Sequence, residues 1–138
     1  MNEILDNRYL TPIEYNGIMY PSVENAFHSS RFKDPSIKRK FITFTPHEAA
    51  YRGNHFITTI DDWQHIKHDI MYQLLRKKFE NPILKKALLD TKDSSLVITN
   101  NVHDNEWGSC TCRICNNSGE NKVGIMLMEL RNEFQRSL

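Results

Sequence analysis

The stretch DNEWGSCTCRICNNSGENKVGIMLMELR, residues 104–131, decides how the second half of this chain is built. A polar, glycine-rich loop runs here into an amphipathic pattern, which predicts a final helix over Gly124–Phe134. A short apolar run before the loop predicts a buried strand at Ser95–Thr99. A loop in this place can hold a polar ligand against a helix N-terminus, where backbone N–H groups attract anions.

Earlier in the chain, three helices are predicted from their start signals. Ser22 and Asp34 are N-cap residues, whose side chains accept hydrogen bonds from the first N–H groups of a helix. Thr45 and Glu48 have the spacing of a full capping box. Gly53 is predicted to end that third helix in the left-handed conformation.

The longest helical pattern covers Asp62–Phe79, and Asn81-Pro82 ends it and opens the next helix. One face of the long helix is predicted to contain Trp63, Ile66, Ile70, Leu74 and, one turn further on, Lys77 or Lys78, with Leu75 and Phe79 beside it. The basic pairs of the chain, including Lys77-Lys78, are predicted to lie on solvent-facing helix surfaces.

A hairpin is predicted at Asn16-Gly17, because this dipeptide favours tight turns with positive φ. Together with the helices, it predicts a helix-rich α+β fold. We expect a single domain over residues 1–138, with about six helices and two or three short strands. Regular βαβ alternation and a Gly-rich phosphate loop are both missing from the sequence. The common nucleotide-binding folds are therefore not expected.

Composition narrows the class of protein. Of 138 residues, 39% are hydrophobic and 25% are charged, as in ordinary globular domains. The formal net charge of +1 gives no general field for nucleic acid, although a local basic patch stays open. No apolar run is long enough for a membrane span, and the N-terminus does not have the plan of a signal peptide. Three clustered cysteines make a poor disulfide framework, so a reduced, cytoplasmic protein is predicted.

Two carboxylates are candidates for catalysis. Glu24 falls in the first turn of its predicted helix, and Asp104 lies in the glycine-rich loop. Each also has a simpler interpretation, because an acid complements the helix dipole and an aspartate often starts a turn. Cleavage of a glycosidic bond uses two carboxylates, one to stabilise positive charge on the sugar or activate water and one to manage the leaving group's proton.

Three further residues are candidates for ligand binding. Trp107, beside Gly108, is either part of the core or a platform on which a heterocyclic base stacks. Lys67 and Arg131 are either ordinary helix residues or cations for a phosphate, and arginine suits bidentate contacts with such groups.

The cysteine cluster has spacing suited to zinc. Cys110, Cys112 and Cys115 provide three thiols, and His103 or a water completes four ligands. Three thiolates make a closed, soft site, which favours a structural zinc over a catalytic one. The cluster is only half of the usual paired arrangement, so the sequence leaves a metal-free cluster open.

Three blocks of the sequence, in this order, resemble the NADAR or YbiA-like family over nearly the whole chain. The first block is Asn7-x-Tyr9, then Tyr15-x-Gly17-x-x-Tyr20-Pro21-Ser22-x-Glu24, then Phe32. The second is Asp62-Trp63-x-x-x-Lys67-x-x-x-Met71, then Lys78-Phe79, then Leu88-Leu89-x-Thr91. The third is Asp104-x-x-Trp107-Gly108, then Gly119-x-Asn121-x-x-Gly124-x-x-x-Met128-x-x-Arg131.

The resemblance implies a YbiA-like fold and hydrolysis of an N-glycosidic bond at the anomeric carbon of a ribose, with no cofactor needed for catalysis. It implies two substrate classes, the ribosylamino-pyrimidine phosphates of riboflavin synthesis and ADP-ribose attached to guanine. The expected partner is thus a small nucleotide-like substrate or ADP-ribosylated guanine in nucleic acid, with no membrane and no obligate protein partner.

Carried over by position, the resemblance makes Glu24, Asp104 and Trp107 the core of the site, around one cavity. It assigns substrate binding to Lys67, Asn121, Arg131, Gly108 and Asn7. A phosphate is expected at the two cations and at the backbone N–H groups near Gly124, where the last helix starts.

Three positions depart from the family's pattern. Arg8 stands where phenylalanine is usual, Asn54 follows Gly53 where arginine is usual, and Thr99 takes the place of an acid. The threonine at position 99 and the moved arginine keep one alternative open, a module that binds ADP-ribose or a nucleotide without cleaving it. A third interpretation, tied to the cysteine cluster, is a small zinc-stabilised interaction domain.

Overall fold

The structure, a computed structural model, describes residues 2–138. This part of the chain contains six α-helices, a short 3-10 helix at Asn2–Leu5 and four short strands. Contacts divide it into two compact units, residues 2–81 and residues 82–138. The predicted helix-rich α+β class is confirmed. No helix in the described range is both long and apolar enough to cross a membrane.

The unit formed by residues 2–81 opens with a hairpin. Strands β1 (Ile13–Tyr15) and β2 (Ile18–Tyr20) are antiparallel. Asn16 and Gly17 have φ angles of 51° and 84°, and two positive φ angles in succession suit the tight hairpin turn predicted from this dipeptide.

Four helices complete the same unit. They are α1 (Val23–Ser29), α2 (Pro35–Thr43), α3 (Pro46–His55) and α4 (Trp63–Lys78). The predicted caps are confirmed, because the side chains of Ser22, Asp34 and Thr45 accept from helix N–H groups and Glu48 completes the capping box. Each start is fixed by residues close in sequence, which explains why the sequence predicts it.

Helix α1 is the central element of this unit and packs against α2, α3, α4 and the hairpin. All of its residues are buried except Glu24. The buried amide of Asn25 donates to the carbonyls of Phe41 and Phe44, which ties α1 to the end of α2. A helix held on so many sides is a rigid support for the one side chain that it leaves partly open.

Gly53 does not end α3, so that prediction is wrong. The helix continues to His55, and a Cβ atom at Gly53 would lie 2.5 Å from Nδ1 of His28. The glycine is therefore needed where the backbone of α3 meets a side chain of α1. This cause is tertiary, and the local sequence does not contain it.

The buried face of α4 differs from the predicted one. It consists of Trp63, Lys67, Met71, Leu74, Leu75 and Lys78, whereas Ile66 and Ile70 are only half-buried. Lys67 and Met71 thus take the inner positions predicted for Ile66 and Ile70. Lys78 is on the inner face, as one interpretation predicted, and the solvent-facing position predicted for the pair Lys77-Lys78 is wrong for Lys78.

The unit formed by residues 82–138 has two helices and a parallel strand pair. Helices α5 (Pro82–Leu89) and α6 (Lys122–Arg136) pack together, and β3 (Thr99–Asn100) pairs with β4 (Ser109–Cys110). The strand predicted at Ser95–Thr99 is wrong, because regular pairing starts only at Thr99. The side chain of Asn121 holds Leu96 and the N–H of Ile98, and the carbonyl of Ile98 accepts from the N–H of Ser109 in β4.

Candidate active site

Glu24 is fixed at the start of α1 from two directions. Its backbone N–H donates to the carbonyl of Asn7 at 3.0 Å, and Ser22 caps the helix immediately before it. The side chain is 18% exposed, so the carboxylate is near solvent yet largely enclosed. This arrangement supplies one well-placed negative charge.

His28 lies one turn after Glu24 on α1, and Arg31 follows two residues after the end of that helix. Nε2 of His28 lies 3.6 Å from Oε1 of Glu24, and Nδ1 of His28 accepts from Nε of Arg31 at 3.2 Å. Neither residue was predicted from the sequence. For His28 the spacing of four positions from Glu24 was the available signal, since such residues share a helix face.

Asn7 presents an unused acceptor beside the start of α1. Its side chain is buried, and Nδ2 donates to Sδ of Met71 at 3.4 Å. Within residues 2–138, no group donates to Oδ1 of Asn7. Buried polar atoms almost always have a partner, so this oxygen is suited to accept from a ligand hydroxyl or N–H.

Two lysines of α4 are buried. Lys67 lies on the inner face with Trp63 and Met71, which is unlike an ordinary solvated lysine. Lys78 donates from Nζ to the carbonyl of Asp6 at 2.8 Å. Burial lowers the pKa of Lys78 to about 7, and the charge of Asp6 opposes that change.

Arg8, the residue found where phenylalanine is usual in the family, grips Asp6. Nε and Nη2 of Arg8 donate to the two oxygens of that carboxylate at 3.1 and 2.9 Å. Burial would raise the pKa of Asp6, but the hydrogen bonds and charge of Arg8 outweigh it, so the pKa is lowered. The departure therefore has a local structural role.

In the unit formed by residues 82–138, Asp104 shapes the loop that carries Trp107. Oδ1 of Asp104 accepts from the backbone N–H groups of Glu106 and Trp107 at 3.1 and 3.0 Å. The side chain of Asn100 brackets Asp104, donating to its carbonyl and accepting from its N–H. The turn-forming interpretation of Asp104 is thus confirmed by its contacts, and the catalytic one stays a prediction.

Trp107 is half-buried and has a cation nearby. Nζ of Lys122 lies 5.8 Å from the centroid of the indole ring and 2.9 Å from Oε2 of Glu106. A half-buried indole can stack on a base, and this role of Trp107 stays a prediction. The further expectation that Glu24, Asp104 and Trp107 face one cavity stays a prediction.

Asn121 and three glycines hold backbone segments together. The Asn121 side chain accepts from the N–H of Ile98 and donates to the carbonyl of Leu96, both at 2.9 Å. A Cβ atom at Gly124 would overlap that Leu96 carbonyl, and Gly108 and Gly119 are equally close to other carbonyls. Both polar groups of the Asn121 amide are therefore already used within the protein.

Two backbone N–H groups at the start of α6 also have hydrogen-bond partners within the protein. The N–H groups of Lys122 and Val123 donate to the carbonyls of Glu106 and Trp107 at 3.1 and 2.9 Å. Two of the N–H groups expected to bind a phosphate thus have partners in the loop. An anion site in this unit needs other donors.

Arg131 is one such donor. Its side chain is buried on α6, and Nη1 donates to Oγ1 of Thr91 at 2.8 Å. In the described chain, Nε of Arg131 has no hydrogen-bond acceptor. A buried guanidinium with an unsatisfied N–H is suited to a phosphate or carboxylate oxygen.

The four predicted metal ligands come together. The ligand atoms of His103, Cys110, Cys112 and Cys115 all lie within 4.8 Å of one another. Nδ1 of His103 is 3.3, 3.8 and 3.5 Å from the sulfurs of Cys115, Cys110 and Cys112. The N–H of Cys115 also points at Sγ of Cys112, at 3.4 Å. This cluster has the composition and geometry to bind a metal such as zinc.

The chain is similar to known proteins over most of its length, both in sequence and in structure. The sequence model of the NADAR domain family matches residues 2–135. N-glycosidase YbiA of Escherichia coli is 27% identical over 125 residues, covering 89% of this chain and 76% of that protein. A chloroplastic riboflavin biosynthesis protein, PYRR of Arabidopsis thaliana, is 34% identical over 96 residues, which are 65% of this chain and 15% of the plant protein. The NMR structure of E. coli YbiA superimposes with a TM-score of 0.82 at 28% identity, covering 97% of this chain and 79% of that one.

Proposed function

This chain belongs to the NADAR family, and from that premise we propose that it is an N-glycosidase, a hydrolase of the bond between a ribose carbon and the nitrogen of a base. The setting of Glu24 carries the proposal. Its carboxylate is the one side chain of α1 that is not buried, at a capped helix start whose N–H is fixed by Asn7. The naming of related proteins as N-glycosidases supports the same reaction type.

Glu24 acts on the charge that develops during cleavage. As the C–N bond breaks, its electron pair leaves with the nitrogen and positive charge builds on the ribose, where a carboxylate stabilises it. Water then adds to the anomeric carbon and loses a proton, and the leaving nitrogen gains one from an acid or from solvent. Asp104 is the proposed second acid, and Trp107 the proposed stacking platform for the base.

The substrate carries a phosphate. Lys67 and Arg131 are buried cations, and the unsatisfied N–H of Arg131 supports an anionic ligand. The plant riboflavin biosynthesis relatives favour ribosylamino-pyrimidine phosphates. ADP-ribose on guanine is the alternative substrate class.

Chromatography of released base tests the proposal. The protein is incubated separately with a ribosylamino-pyrimidine phosphate and with ADP-ribosylated guanosine, and Glu24→Gln is run beside it. We expect release from one substrate and a loss of about 100-fold or more in Glu24→Gln, because the variant keeps the shape and removes the charge. Full activity of Glu24→Gln would overturn the assignment of Glu24.

The second candidate function is a binding module that does not cleave its ligand. The use of Asp104 Oδ1 in the loop favours it, together with threonine at position 99. Calorimetry with ADP-ribose separates the two functions. Tight binding without base release from either substrate would select the binding module.

The metal proposed for the His103 and cysteine cluster is zinc in a structural role. Zinc–sulfur and zinc–nitrogen bonds of about 2.3 and 2.0 Å place tetrahedral ligands about 3.5–3.8 Å apart, close to the separations from His103. Elemental analysis of the purified protein should give one zinc per chain, and Cys112→Ser should lower that content. A chain purified under reducing conditions without zinc would contradict this proposal.

A further inference from the structure

We propose that His28 and Arg31 are positioning residues for Glu24: Arg31 selects one tautomer of His28, and His28 directs its remaining N–H at the carboxylate. The inference rests on the proposed N-glycosidase function of Glu24 for its kinetic consequence. Its structural part concerns only residues 2–81 and is tested without substrate.

The tautomer follows from the chemistry of the two side chains. A guanidinium group has only donors, so the Nε–H of Arg31 bonds Nδ1 of His28 through a lone pair. A neutral imidazole with a lone pair at Nδ1 carries its hydrogen on Nε2. Nε2 is the ring atom that lies 3.6 Å from Oε1 of Glu24.

The imidazole is held in this orientation from several sides. Its side chain is only 6% exposed, and the backbone of Gly53 in α3 lies where any Cβ atom would strike the ring. The ring of Phe27 meets it edge to face, with 5.3 Å between centroids. The close approach of Gly53 and the contact with Phe27 therefore restrict rotation of the imidazole ring.

Arg31, which bonds the side of the imidazole that faces away from Glu24, is itself held by two contacts. Nη2 donates to Oδ1 of Asn54 at 2.9 Å, and the guanidinium lies 5.0 Å from the centroid of the Trp63 ring. Asn54, which departs from the family's arginine, thus supplies an acceptor where an arginine would place a second cation.

The contact of His28 with Glu24 is longer than a hydrogen bond. Catalytic contacts are often long without substrate and shorten in the complex. An N–H donor on one carboxylate oxygen restricts rotation of Glu24, which directs the other oxygen toward the reacting ribose. A misplacement of about 1 Å at such a group costs up to about 100-fold in rate.

The first experiment measures the tautomer by NMR of the histidine ring nitrogens. In the wild-type protein we expect the Nε2–H form of His28, assigned by its absence from His28→Gln. Arg31→Gln should lose that single form. Lys33→Gln is the matched control, because it removes one positive charge at an exposed position of the same segment. An Nδ1–H form in the wild-type protein would overturn the proposal.

The second experiment measures kcat and KM with the substrate that the wild-type protein cleaves. His28→Ala should lower kcat by about 10- to 100-fold with KM within about twofold. His28→Gln should restore most of kcat, since a glutamine amide can accept from Arg31 and donate to Glu24 at once. Thermal melts of both variants separate this effect from a loss of folding.

The outcomes distinguish this inference from the proposed function. If the wild-type protein releases no base, the N-glycosidase proposal fails, and the NMR result still decides the tautomer. If Glu24→Gln is inactive while His28→Ala keeps the wild-type kcat, His28 and Arg31 do not position Glu24 for catalysis and the inference is overturned.

Discussion

The site around Glu24 and the loop from His103 to Gly124 are built by different kinds of contact. Around Glu24, side chains meet side chains on a helix that the rest of its unit surrounds. In the loop, carbonyls, N–H groups and an asparagine amide join backbone segments, and glycines allow them to approach. Substitutions in the first region should therefore change activity before stability, and substitutions in the second should change stability first.

Among the changes that separate the two regions, loss of the metal should lower the stability of the protein the most. A chelator, or Cys112→Ser, removes the ion proposed to join residues 103 and 110–115, and the binding energy of a structural zinc is folding energy. We expect the melting temperature to fall by ~10 °C or more. Circular dichroism melts with and without added zinc measure it. An unchanged melt on chelation would contradict a structural role for the metal.

Gly124→Ala should be the next most severe change. The new Cβ atom would overlap the Leu96 carbonyl and the Asn121 amide, all of which hold backbone in place. We expect a loss of about 3 kcal/mol in the free energy of unfolding, measured with a chemical denaturant. Ile125→Ala, at an exposed neighbour on the same helix, is the control and should cost under about 1 kcal/mol.

Gly53→Ala tests the region around Glu24. The added Cβ atom displaces the His28 ring, so we expect a loss of about 2 kcal/mol in stability together with a lower kcat. Gly17→Ala is the matched control. Its φ of 84° makes alanine strained there, but the added Cβ atom meets no other group and lies away from His28. If both variants lose stability and keep the wild-type kcat, the ring's position does not matter for catalysis.

The same contrast explains what the sequence could predict. Helix starts at Ser22, Asp34 and Thr45 depend on residues within three positions, and all three were correct. Gly53 was misassigned because its constraint comes from a ring on another helix. The strand predicted at Ser95–Thr99 is wrong in its extent, because regular pairing starts at Thr99 and the amide of Asn121 holds Leu96 and Ile98, a contact for which the sequence has no pattern.

The candidate residues divide similarly. The cysteine and histidine spacing is local, so the sequence predicts the grouping of these side chains, with His103 or a water as the fourth ligand. The resemblance assigns Asn121 to substrate, whereas in the structure both polar groups of its amide bind backbone. His28 is a helix-face neighbour of Glu24, but nothing in the sequence marks its contact with the Arg31 guanidinium beyond the helix end.

Lys78 gives a pH-dependent test within the unit of residues 2–81. Burial lowers its pKa from 10.5 to about 7, so above pH 7 the unfolded chain holds more protons than the folded one. The free energy of unfolding should therefore rise with pH, by about 2 kcal/mol between pH 7 and pH 9. Lys78→Met should lack this rise, and Lys77→Met, at the half-buried neighbour paired with Glu14, should keep it. Equal pH profiles for Lys78→Met and the wild-type protein would contradict the prediction.

Asp104→Asn should have the smallest effect on stability and the sharpest meaning for the comparison. Asparagine Oδ1 can accept the same two N–H bonds from Glu106 and Trp107, so the loop is kept and only the charge is lost. We expect the free energy of unfolding to change by under about 0.5 kcal/mol, whereas Asp104→Ala should cost about 1 kcal/mol or more. If Asp104 is the second acid, base release by Asp104→Asn falls by ~10-fold or more. If release is unchanged, Asp104 belongs with Asn121 among the residues that hold the loop, and Glu24 is the carboxylate on which the chemistry depends.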